Sequence, residues 1–309
     1  VEDAFAWARL RAAGAILLGK LETTEFCYGG PSTDSLFPPA RNPWDRSCYA
    51  GGSSSGAGVA LAAGLCLGAL GTDTGGSARL PAAYCGVTGM VVSAGLVGRS
   101  GVFPLSRTFD RIGPMARSAE DCAIILGALW GHDPGDPDSL ERPPVDYRAP
   151  LRQGVRGLTL GCVREFADPA FVSAPMIRAF DEAVQTFESS GASIVDVDLP
   201  ALTDFAACQM VITVTEGLAI HEADLRSRRD DFTYLTRMRL SLGSMLGALD
   251  YVQAQRLRGD LTRRYDAAFA GCDALLLPGA PDVALKAATV GAFDWLRKPL
   301  VTVPANVVG

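Results

Sequence analysis

The chain has 309 residues and a formal net charge of −6, which leaves no basic surface for nucleic acid or for anionic lipid. With 48% hydrophobic and 20% charged residues, it has the apolar content of a globular protein with a sizeable core and is not a disordered chain. Eight cysteines lie scattered without C-x-x-C spacing, and Gly or charge breaks every apolar run before about 20 residues, so free thiols, a cytoplasmic location and no membrane span are expected.

Apolar residues at helical spacing from Val1 to Ala13 predict a helix, and "AILLG" after Gly14 predicts a short buried strand. "SSGAGVALAAGL" reads as a helix of small residues, "CLGALGTD" as a strand, and "SARLPAAYCG" as a short helix punctuated by Pro81 and Gly86. Ser118 with Asp121 three residues on gives a capping-box start to "SAEDCAIILGALWG", which ends at Gly131. "HDPGDPDSLERPPVDYRAP" predicts a surface loop. A strand-helix-strand unit then follows from "GLTLGCV", Ala174–Ser190 and "SIVDVDLP". Residues 201–271 are mostly helical, with Tyr251, Ala254, Arg258, Leu261 and Tyr265 on one side of the last helix, and "DALLLPG" closes as a strand. Arginines at 226, 228 and 229 and at 256, 258, 263 and 264 are interspersed with acids and read as solvated helix faces. The alternation predicts an α/β protein with a largely covered sheet, without a repeat or dividing linker. Val1 opens inside a helix pattern and "LVTVPANVVG" stops in an apolar stretch, so the expectation is one domain over 1–309, incomplete at both termini.

Several local motifs fail on chemistry. Gly14–Lys20 matches G-x-x-x-x-G-K, but Leu21 offers no hydroxyl for Mg²⁺ and "AILL" is strand-like. "GSSSG" at 52–56 centres Ser54 in a nucleophile-elbow pattern that needs a histidine, and the two present, His132 and His221, carry no supporting motif. They also leave no metal site to defend, and no cofactor motif stands.

"GTDTGGSARLP" is different. Gly75 and Gly76 can turn consecutive N–H groups into one small volume just before a helix, and Ser77 follows them with its hydroxyl beside those donors. The same residues also read as a Gly/Ser turn with Ser77 as a helix N-cap.

The long stretch "GGSSSGAGVALAAGLCLGALGTDTGGSARLPAAYCGVTG" closely resembles the signature of the amidase-signature family of serine amidohydrolases. "LRAAGAILLGKLETTEF" and "ARNPWD" extend the likeness upstream, and "GLVGRSGVFPLSRTFDRIGPMARSAEDCAIILGAL" extends it downstream. The signature core spans 50–115. The resemblance implies an amidase-signature fold, α/β with a mixed β-sheet core covered by helices on both faces, and cleavage of a carboxylic amide through an acyl-serine. In it Ser77 is the nucleophile, and Ser53, preceded by a cis peptide bond, relays the proton to a lysine. The backbone N–H groups of Thr74, Gly75, Gly76 and Ser77 form the oxyanion hole, and Ser54, Asp73 and Arg79 support the loops.

The chain departs from the family pattern in three places. The catalytic lysine would fall before Val1, leaving only Lys20, Lys286 and Lys298; "GMVVSAG" replaces a usual Lys-Pro-Thr; and the chain stops at Gly309. The partner implied is a small-molecule amide, with no nucleic acid bound directly, no membrane, and a homodimer among the assemblies allowed. Two other readings stay open: the glutaminase subunit of a tRNA-dependent amidotransferase, and a non-catalytic amidase-like binding protein.

Overall fold

The computed structural model describes residues 2–30, 35–291 and 293–309. Helix α1 (Phe5–Ala12) opens the chain; Val1, at the head of the expected helix, lies outside the described residues. "AILLG" is not the buried strand expected. It runs without ladder partners, Ile16 85% and Leu18 73% exposed. No described strand lies beside it, and a strand exists only through its pairing.

Two helices and one strand then build the centre. α2 (Ser55–Ala62) is almost wholly small residues and packs against α3 (Arg79–Cys85), with β1 (Gly68–Asp73) between them in sequence. Ala57, Leu61, Ala78, Ala82 and Met115 form the apolar cluster at that contact. Small side chains let the helices approach closely enough to bring their N-terminal loops together. Gly86, at φ 70°, closes α3 in the left-handed conformation glycine tolerates. β2 (Thr88–Gly89) and β3 (Arg111–Ala116) complete an antiparallel sheet in the order β1-β3-β2, with Asp73 opposite Arg111. α4 (Ala119–Leu129) starts where the sequence indicates, Ser118 Oγ accepting from the Asp121 N–H at 3.1 Å.

The second half holds the strand-helix-strand unit as predicted: β4 (Thr159–Cys162), α5 (Ala174–Ser189) and β5 (Ser193–Asp196). Phe180 and Val184 of α5 pack on Cys162 of β4. Three helices follow, α6 (Leu202–Ser227), α7 (Tyr234–Ser241) and α8 (Ala248–Phe269), and then β6 (Ala274–Leu276). Strands β5-β4-β6 form a parallel sheet. The expected α/β architecture is present, its antiparallel and parallel strands divided between two three-stranded sheets. α9 (Asp294–Arg297) leads to α10 (Val303–Val308), whose Val303 and Val307 enter the largest core with Phe205, Ile212 and Leu261. All eight cysteines are free. Among the described residues no helix is long and apolar enough to cross a membrane.

Candidate active site

The two Gly/Ser loops meet. Ser54 N–H donates to the Ser77 carbonyl at 3.0 Å, and Thr24 N–H donates to the Ser53 carbonyl at 3.2 Å. Ser54 is committed to the backbone of β1, its hydroxyl accepting from Thr72 N–H at 3.1 Å and donating to Thr72 O at 3.2 Å. That double contact makes Ser54 a loop anchor and removes it as the centre of a nucleophile elbow. His132 is exposed in its loop, and His221 is buried among Phe26, Phe103 and Phe232.

The Gly52–Ser53 peptide bond is cis. Ser53 Oγ is fully buried and has no hydrogen-bond partner among the described residues. Of the three lysines, Lys286 donates to Asp45 Oδ2 at 2.6 Å and to Ser47 Oγ at 2.7 Å, while Lys20 and Lys298 are exposed. None of them bonds to Ser53.

Ser77 lies in the turn that runs from β1 into α3 and opens onto a cavity of about 790 Å³. Gly52, Gly75 and Gly76 share that wall, while Phe171, Met210 and Leu300 supply apolar surface and Lys298 lies on the exposed side. Asp73 organises the turn from behind. Its Oδ1 accepts from Gly76 N–H at 2.8 Å, and its Oδ2 accepts from Ala78 N–H at 3.1 Å and Arg79 N–H at 3.3 Å. The Gly76 N–H is therefore held by a carboxylate, which corrects the expectation that it serves an oxyanion. Thr74, Gly75 and Ser77 N–H groups donate to no protein group among the described residues.

Arg79 pairs with Asp73 through Nε–Oδ2 at 3.0 Å and Nη2–Oδ1 at 2.8 Å. Burial pushes the Asp73 carboxyl up, but the guanidinium charge and the hydrogen bonds from Arg79, Asn306 and Ala78 outweigh it and hold it below the usual aspartate range.

Three further residues at the turn escape a reading of the sequence. Asp110 accepts from Thr74 Oγ1 at 2.7 Å and from the Leu105 and Ser106 N–H groups. Its carboxyl is pushed up by burial, which those bonds only partly counter. Thr302 and Asn306 reach the same turn from the far end of the chain. Their one signal is local: a Thr and an Asn inside the apolar stretch "LVTVPANVVG".

The amidase family profile matches residues 1–309. The chain is 36% identical, over 333 residues, to a glutamyl-tRNA(Gln) amidotransferase subunit from Trichlorobacter lovleyi, covering 99% of this chain and 68% of that protein. In structure it resembles the corresponding subunit from Thermotoga maritima with a TM-score of 0.85 and 29% identity, covering 100% of this chain and 68% of the other. It also resembles the peptide amidase of Stenotrophomonas maltophilia, with a TM-score of 0.80 and 30% identity, at 99% and 68% coverage. The chain belongs to the amidase family, enzymes that hydrolyse carboxylic amide C–N bonds.

Proposed function

We propose that this chain carries the nucleophile and proton relay of an amidohydrolase acting on a small-molecule amide. Ser77 Oγ attacks the amide carbon, its proton passes to Ser53 Oγ, and the proton of Ser53 passes to a base. The carbonyl oxygen becomes negative against the free N–H groups of Thr74, Gly75 and Ser77. Collapse breaks the C–N bond, and the same relay run backward protonates the departing amine. Water then releases the acid from Ser77. The base in this reading is a lysine other than Lys20, Lys286 and Lys298. Ser54, Asp73 and Arg79 hold the two loops, and residues 50–115 form the core of one domain over 1–309. A homodimer in the cytoplasm is the assembly and location that complete this reading.

The observation that carries the proposal is the join between the loops. The Ser54 N–H to Ser77 carbonyl bond ties the turn that opens onto the cavity to the loop of Ser53, whose buried hydroxyl has no partner among the described residues. Ser77→Ala tests it. The change should abolish covalent labelling by a fluorophosphonate, and unchanged labelling would sink the assignment.

A second reading rests on the relatives' names, since a protein 36% identical belongs to an amidotransferase. Under it the chain releases ammonia from glutamine for a partner protein. Ammonia release from glutamine and co-purification of a second protein favour it; hydrolysis of simple amides by the isolated chain opposes it.

A further inference from the structure

We propose that Thr302 and Asn306 are positioning residues that aim the N–H groups of the Ser77 turn into the cavity. The inference deepens the reading of Ser77 as nucleophile and rests on it.

A trans peptide unit is rigid, and its C=O and N–H point in opposite directions. Fixing the oxygen therefore aims the N–H. Asn306 Nδ2 donates to the Asp73 carbonyl at 3.1 Å, which fixes the unit whose N–H belongs to Thr74. Thr302 Oγ1 donates to the Gly75 carbonyl at 2.7 Å. The other end of that unit, Gly76 N–H, is held by Asp73 Oδ1 at 2.8 Å. The Gly75–Gly76 peptide is thus pinned at both ends, and the two units flanking it carry the Gly75 and Ser77 N–H groups. Donors held in place before reaction need no reorganisation when the oxyanion forms.

The contacts admit little play. Asn306 is 1% and Thr302 3% exposed. Asn306 Oδ1 accepts from Arg79 Nη2 at 2.5 Å while its Nδ2 also donates to Asp73 Oδ1 at 3.0 Å. A cation on one side and a carboxylate on the other admit only this orientation of the amide. Arg79 Nη1 closes the frame by donating to the Thr302 carbonyl at 2.7 Å. The pair therefore acts from behind the turn and touches no reacting atom.

The test compares the full chain with Thr302→Val, which keeps the shape and loses the hydroxyl, and with Thr302→Ser, which keeps the hydroxyl. Loss of one oxyanion donor costs about 10²- to 10³-fold in kcat, so a misaimed turn in Thr302→Val should lower kcat about 10- to 100-fold with KM nearly unchanged. Thr302→Ser should recover most of that loss. An unchanged kcat in Thr302→Val, or a raised KM with kcat intact, overturns the proposal.

Amide hydrogen exchange gives a second readout that needs no turnover. Thr302→Val should speed exchange at Gly76 and Thr302→Ser should restore its protection; equal exchange in all three proteins also overturns the proposal. If the wild-type chain labels no better than Ser77→Ala, the nucleophile reading has failed, and exchange at Gly76 still decides the role of Thr302.

Discussion

Asp73 and Arg79 face each other through two hydrogen bonds, 3.0 and 2.8 Å long, with the aspartate fully buried. Arg79→Met should leave that carboxylate buried without its cation and cost about 3–5 kcal/mol, read as a lowered urea midpoint. Because Asp73 is held below the usual aspartate range, its unfolded form binds protons first on acidification. The stability it contributes is complete above the ordinary aspartate pKa and is lost as pH falls toward the lower folded value. Arg79→Met should flatten this acid limb, and an unaltered acid limb would contradict the assignment.

His221 gives a second pH dependence. Burial pushes its imidazole below its ordinary value of 6.5, although Asp224 and Glu25 pull the other way. Neither ring nitrogen has a hydrogen-bond partner among the described residues. Below pH 6.5 the unfolded chain takes up a proton that the folded one resists, so stability should fall with pH from there toward the lower folded value. His221→Phe should remove that slope without loss of stability near neutrality, as urea titrations at several pH values would show.

Ser53→Ala separates folding from chemistry. A buried hydroxyl with no partner carries a desolvation penalty of about 1–3 kcal/mol, so its removal should leave the urea midpoint unchanged or raised. Loss of a proton relay should slow fluorophosphonate labelling of Ser77 about 10²- to 10⁴-fold. Labelling at the wild-type rate would remove Ser53 from the mechanism.

Gly76 has φ 131°, and a Cβ there would overlap the Thr302 hydroxyl and crowd its Cβ at 3.0 Å. Gly76→Ala should lower stability by about 1–3 kcal/mol through backbone strain and reduce labelling of Ser77. A variant as stable and as reactive as the parent would show that the turn is less constrained than these contacts imply.

The parts of the site legible in the sequence are those written in one short stretch. The Gly/Ser loops announce themselves because glycines, serines and the following helix are contiguous, and Ser118 with Asp121 marks the start of α4 for the same reason. Long-range partners leave no such trace. Thr302 meets Gly75 across 227 positions, and nothing near either residue names the other. Asp136 lies in a stretch that reads as a surface loop, yet it is 5% exposed because Arg99, 37 residues away, bonds to both its oxygens. "AILLG" misleads for the converse reason: local apolarity suggests a strand, but ladder formation is decided by whatever lies alongside. The commitment of Gly76 N–H to Asp73 is equally out of reach, because spacing does not tell which N–H of a nest points inward.

The 227-residue gap between Gly75 and Thr302 also bears on synthesis. Both serine loops leave the ribosome early, but the segment that bonds to the second of them emerges only after the whole parallel sheet and the long helices. During that interval the Gly75 and Asp73 carbonyls lack the Thr302 hydroxyl and the Asn306 amide that donate to them in the folded chain. The turn after β1 therefore gains these two bonds last, once residues 302–306 have docked.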